Sequence, residues 1–309
     1  MTNPQLGQLS NDAVATAIAV LGVAVVAYAI SAARIRARTP SLSTDHGPIT
    51  STILGAPAGQ DAFIRSIPAP AIARDTTGRT ADVLVRVGTI LLVLALLTRG
   101  LAAGRVPWGN MYEFTLAGAV AASVALVFGL QNATIRPLAA WAVMIVLLAL
   151  GLAVTVLWTP AGELVPVLDS YWLVIHVAAA ITAGGIFTLG FVTAVAYLIR
   201  TRQGRMEAVD LNRVSYTLHL VAFPVWTFAV MAGAIWAENA WGRYWGWDPK
   251  ETWAFITWVA YAAYLHAQAT PRWRGKRAAL LAVLGYSAFL FNFFGVNLWI
   301  PGLHSYAGI

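Results

Sequence analysis

The stretch Trp236-Ala-Glu-Asn-Ala-Trp-Gly-Arg-Tyr-Trp-Gly-Trp-Asp-Pro-Lys-Glu-Thr-Trp253 decides how this chain is read. It holds five tryptophans and a tyrosine in eighteen residues and separates two strongly apolar runs. Glu238, Arg243, Asp248, Lys250 and Glu251 keep it out of the bilayer centre, where each charge costs about 3 kcal/mol or more. Six large rings are equally unsuited to bare exposure in water. A segment both aromatic and charged belongs at the membrane–water interface, where an indole has one apolar face and one hydrogen-bonding edge. Two readings of it stand. It is an aromatic belt that fixes the depth of its neighbours, or it is a platform for a large planar ligand, with Gly242 and Gly246 admitting close backbone approach. Its end reads as a helix start: Asp248 is an N-cap, Pro249 suits the first helical position, and Glu251 completes a capping box.

The surrounding composition agrees with a membrane setting. The chain is 59% hydrophobic and 11% charged, with a mean hydropathy of +0.69, which predicts an all-α polytopic membrane protein. Eight runs approach the roughly 20 residues needed to cross: Val14–Ala33, Ala81–Ala103, Tyr112–Leu130, Pro137–Trp158, Tyr171–Leu198, Tyr216–Ala237, Pro249–Ala267 and Ala278–Phe294. The second contains Arg86 and Arg99, expected to snorkel to opposite surfaces. The expected organisation is an N-terminal anchor and linker, residues 1–80, followed by a multi-helix core, residues 81–309, that includes the 236–253 stretch.

Charge sets the orientation. Asp12 precedes the first run and Arg34, Arg36 and Arg38 follow it, the reverse of a secretory signal, so an anchor with an external N-terminus is expected. The first, third, fifth and seventh connections carry Arg65, Arg74, Arg79, Arg136, Arg200, Arg202, Arg205, Arg213, Arg272, Arg274, Lys276 and Arg277. Those connections are then cytoplasmic, and the tryptophan stretch and both termini lie outside. The net charge of +7 is an orientation signal; no nucleic-acid motif accompanies it. Pro, Ala, Thr, Ser and Gly dominate Thr39–Thr80, a linker reading that leaves His46 in solvent. The external turn Arg105–Phe114 is a helix boundary capped by Asn110, or a contact with whatever the platform holds.

The absence of cysteine excludes disulfides, thiolate metal sites and thiol nucleophiles, leaving histidine as the soft nitrogen ligand. His176 follows a helix start at Asp169 or Ser170 and lies roughly 9 Å along that helix, near the outer surface. Pro301 and Gly302 turn the chain so that His304 returns to the same surface. Each is an ordinary interfacial histidine taken alone. Two of them beside a ring-rich platform suit iron in a flat macrocycle, with axial nitrogens above and below. Arg243 and Lys250 would pair with the carboxylates of such a ligand or are solvated interface charges. His219 and His266 lie toward the cytoplasmic ends of their spans; His219 is read as structural.

These residues resemble a known family. Trp241-Gly-Arg-Tyr-Trp-Gly-Trp-Asp-Pro-Lys-Glu-Thr-Trp253 is similar to the tryptophan-rich "WWD" signature of heme-handling proteins in cytochrome c biogenesis. Leu168–His176, Tyr264-Leu-His266 and Gly302-Leu-His-Ser-Tyr306 resemble the companion motifs of its system II branch, the CcsA/CcsB (ResC-like) family. Val106-Pro-Trp-Gly-Asn-Met-Tyr-Glu113 is similar more weakly, and the first eighty residues match nothing.

The resemblance implies a heme-binding and heme-delivering subunit of a cytochrome c synthase in the plasma membrane. Heme b (iron protoporphyrin IX) would be presented outside for attachment to the Cys-x-x-Cys-His segment of apocytochrome c. It implies His176 and His304 as external axial ligands and His266 as a ligand within the membrane, the opposite ligand coming from a ResB/Ccs1-type partner. Trp241, Arg243, Tyr244, Trp245, Trp247, Asp248 and Trp253 would form the heme platform. The implied partners are that subunit, apocytochrome c and membrane lipid. A system I-type heme exporter or lyase, and a transporter unrelated to heme, are the alternatives.

Overall fold

A computed structural model describes residues 3–38, 75–162, 165–203 and 208–304. His46, most of the linker and the last five residues, Tyr306 among them, lie outside the described residues. Eight long helices make up the described fold: α1 (Pro4–Arg38), α2 (Thr76–Ala103), α3 (Met111–Gly129), α4 (Ala139–Thr155), α5 (Tyr171–Arg202), α6 (Ala208–Trp241), α7 (Pro249–Ala269) and α8 (Lys276–Leu290). After α8 come a π-helical turn, Phe291–Gly295, and a one-turn helix, α9 (Val296–Trp299). The chain is an all-α, multi-span membrane protein. Seven segments are long and apolar enough to cross a bilayer by length and composition. α7, with Lys250 and Glu251 in its first turn and His266 and Gln268 in its last, is the helix left out, although its 21 residues have spanning length.

Helix ends follow local chemistry. The Asn110 side chain accepts the Glu113 N–H at the head of α3, and α2 stops at Gly104, whose φ of 64° is left-handed. Asp248 and Glu251 form the expected capping box on α7. Ser170 starts α5 in extended conformation without a side-chain cap bond.

Apolar clusters tie the bundle together. Leu21 of α1, Leu92 of α2, Leu116 of α3, Val143 of α4 and Leu189 of α5 belong to one buried cluster. A second joins Phe187, Trp226, Tyr261 and Tyr286 from α5, α6, α7 and α8, with the Phe187 and Tyr261 rings stacked at 3.9 Å. Small residues permit the close approach: a Cβ on Gly185 would sit 2.6 Å from the Ala121 backbone.

One charge departs from expectation. Arg99 does not snorkel; it is 1% exposed, donates through Nε to Glu113 at 2.9 Å, and through a terminal nitrogen to the Thr159 carbonyl at 2.6 Å. Arg105 adds a second ion pair to Glu113 at 2.7 Å. The reason is the acid: Glu113 is wholly buried and needs cations beside it. The turn from Arg105 to Phe114 is thus clamped to α2 and α3, and Gly109 donates its N–H to the same carboxylate at 2.7 Å.

Candidate heme site

The end of the bundle that carries the tryptophan stretch gathers residues that are remote in sequence. α5 presents His176 one and a half turns from its start, against the end of α6. The His176 Nδ1 lies 2.7 Å from the Ala229 carbonyl. A carbonyl only accepts, so Nδ1 carries the proton and Nε2 keeps its lone pair. Gly233 makes the approach possible, since a Cβ there would lie 2.7 Å from Nδ1.

His304 arrives from the other end of the chain. After α9, Pro301 and Gly302 turn it onto the first turn of α7. Asp248 accepts the Leu303 N–H at 2.7 Å and the His304 Nδ1–H at 3.0 Å, besides capping α7. Gly302 is required by closeness, because a Cβ would come within 2.7 Å of Asp248 Oδ1. Burial holds His304 below the ordinary value of 6.5, opposed by the Asp248 hydrogen bond. Burial pushes Asp248 up, but the His304 and Leu303 hydrogen bonds outweigh it and hold the carboxyl below 3.8. At neutral pH the pair is therefore a carboxylate and a neutral imidazole whose Nε2 is unprotonated. A ligand histidine oriented through its other nitrogen is the usual arrangement at metal centres.

Trp236 touches both imidazole rings. Its indole is 2% exposed, donates to the Val167 carbonyl at 3.2 Å, stacks at 12° on His176, and meets His304 edge-on with centroids 5.6 Å apart. Trp241 completes the wall, 4.9 Å from Trp236 and 5.0 Å from His304. Both imidazoles line one cavity of about 500 Å³ with Trp236, Tyr244, Trp245 and Lys250. The cavity continues along α5 to Phe191, fifteen residues beyond His176 and so roughly 22 Å deeper. Trp247 holds a left-handed backbone (φ 57°) and is exposed, as is Arg243. Neither lines the cavity. Trp253 turns to the other side of α7, packs on Phe291 at 4.2 Å, and lines an outward apolar groove between α7 and α8.

The inner histidines are separate from this site. His266 is exposed near the C-terminal end of α7, roughly 26 Å from Pro249, on the helix stripe of Ile256, Val259 and Ala263 that lines the same groove. His219 is fully buried, donates Nδ1–H to the Ser215 carbonyl at 2.7 Å, and packs between Phe187, Tyr261 and Tyr264. It lines neither that cavity nor the groove between α7 and α8, and a Cβ at Gly190 would overlap its ring.

The donor set fits heme. Two imidazoles, each held through Nδ1, would suit the iron of a porphyrin. Among the described residues no three His, Asp or Glu groups gather to hold a bare ion. The cavity also leaves Thr115 Oγ1 and Asn292 Oδ1 buried without partners. Sequence reading put Trp236 in the ring-rich stretch without giving it a role beside the histidines, and it passed over Gly233, which lies in an apolar run read as a span.

Known proteins bear on the same residues. The family described as "Cytochrome C assembly protein" matches residues 108–304. "Cytochrome c biogenesis protein CcsA" of Chlamydomonas reinhardtii is 34% identical over 237 residues, covering 72% of this chain and 67% of the relative. The protein of that name from Synechococcus sp. (strain JA-3-3Ab) is 34% identical over 290 residues, covering 71% and 83%. Among solved structures, "Cytochrome c Heme Lyase CcmF" superposes with a TM-score of 0.66 at 18% identity. That match covers 95% of this chain but spans only 47% of the solved one, and it bears on the fold alone.

Proposed function

This chain belongs to the CcsA family of cytochrome c biogenesis membrane proteins, and from that premise we propose that it binds heme at its outer cavity and presents it for attachment to apocytochrome c. The observation that carries the reading is that His176 and His304, each tied down at Nδ1, both touch Trp236 and line one cavity. When bound, heme supplies two vinyl groups, to which the thiols of a Cys-x-x-Cys-His segment add. His176 and His304 hold the iron, Trp236 and Trp241 fix the two rings, and the apolar walls exclude water. His176 sits inside a helix, whereas His304 sits on a turn held through Asp248 and Leu303. His304 would therefore be the more readily displaced of the two ligands. Positioning supplies most of the rate.

His266 serves a second, intramembrane site. It faces outward beside an apolar groove and needs its opposite ligand from a ResB/Ccs1-type partner seated against α7 and α8. The basic connections support an outer, extracytoplasmic position for the 236–253 stretch.

The test is co-expression with such a partner and a c-type apocytochrome in cells lacking their own system. Covalent heme in the cytochrome is expected with the intact chain and not with His176→Ala or His304→Ala. Equal covalent heme with and without the chain would contradict the proposal.

A further inference from the structure

Lys250 brings a cation into the cavity, and among the described residues no carboxylate forms an ion pair with it. The ammonium donates to the Asn292 carbonyl at 3.1 Å and lies 6.0 Å from the centre of the Phe293 ring. The acids nearest in sequence are committed elsewhere. Asp248 receives Leu303, His304 and the head of α7, and Glu251 accepts the N–H groups of Gly246 and Asp248. Among the described residues no carboxylate lies within ion-pair distance of Lys250. An ammonium has three protons, so two stay available, and a cation enclosed without a counter-charge is costly. Asn292, whose carbonyl holds the ammonium, also has its buried Oδ1 unpartnered beside the cavity. The stretch's other cation is not a rival: Arg243 is exposed and lies back over Gly246, where a Cβ would meet its guanidinium.

We propose that Lys250 is a carboxylate-reading subsite: it pairs with one propionate and so fixes how the macrocycle is rotated about the line joining the two imidazoles. The inference rests on the heme-binding reading of the same cavity and deepens it. Two axial nitrogens fix the iron and the tilt of the ring but leave that rotation free. One ammonium at the side of the cavity removes the freedom through a charge-assisted hydrogen bond. The propionates share one edge of protoporphyrin IX, so pinning that edge also sets where the vinyl groups point. Lys250 is in this sense a positioning residue, and Asn292 holds it in place.

The experiment titrates the purified full-length chain with hemin and with hemin dimethyl ester, whose carboxylates are capped, following the Soret band. The intact chain is expected to favour the diacid by about tenfold or more. Lys250→Met binds the two alike with the Soret position unchanged, and Lys250→Arg restores the preference. Equal affinity of the intact chain for both ligands, or a preference that survives in Lys250→Met, overturns the inference and leaves heme binding standing. If the intact chain binds neither ligand, or His176→Ala binds both as well as it does, heme binding at this cavity fails and the inference falls with it.

Discussion

α7 carries a histidine environment at each end, and the two are built on opposite plans. At its head, Asp248 caps the helix and holds His304 by Nδ1, within a wall of Trp236 and Trp241. At its foot, His266 is exposed, and among the described residues no hydrogen bond reaches its ring. The head has its orienting groups in place; the foot has an apolar groove beside it. A preformed site binds with little ordering cost, whereas an incomplete one must wait for a partner.

The largest expected effect comes from removing an outer ligand. His176→Ala or His304→Ala should abolish covalent heme attachment in the co-expression assay, while His266→Ala should leave heme binding at the outer cavity of the isolated chain unchanged. Loss of outer heme in His266→Ala would break the comparison. Next comes Asp248→Ala, which leaves His304 in the chain but unoriented. Hemin affinity should fall about 10–100-fold, the cost found on deleting orienting partners of metal ligands, with a further loss of about 1 kcal/mol of helix capping. The buried Arg99–Glu113 pair lies outside the cavity and sharpens the contrast in another way. Glu113→Gln should destabilise the fold by about 3–5 kcal/mol, read as a lower melting temperature, because the buried Arg99 and the half-buried Arg105 lose their anion.

Acid should loosen the head of α7. The folded pKa of His304 lies below 6.5, so the unfolded chain takes up its proton first. The stability held in this group is complete above 6.5 and is lost as pH falls toward the folded value. Asp248 has the same sign below 3.8. Hemin retention at the outer site should therefore decline only below pH 6.5, and a pH titration of the Soret band checks it. The smallest effect is expected from His219→Phe, which keeps a ring among Phe187, Tyr261 and Tyr264 and should leave hemin affinity unchanged within about twofold.

Much of this arrangement is legible in the sequence, because it is local. The capping box at Asp248, the turn at Pro301 and Gly302, and the apolar runs depend on neighbours a few residues away. The second task of Asp248 is not legible, since its partner His304 lies 56 residues on. The side of α7 that Trp253 faces depends on how α8 packs, and no motif fixes that. Arg99 looked like a snorkelling residue because its partner Glu113 is on the next helix. His219 reads from sequence as a structural histidine; that its ring is sealed in the core depends on packing, which no motif fixes.

The central claim is that two imidazoles from distant parts of the chain hold heme iron beside Trp236. Its most direct test is the electron paramagnetic resonance spectrum of the purified chain loaded with hemin. A low-spin ferric signal of bis-imidazole type is expected, converting to high spin in His176→Ala and in His304→Ala and returning when free imidazole is added. A signal that is high-spin in the intact chain, or that survives both substitutions unchanged, would contradict it.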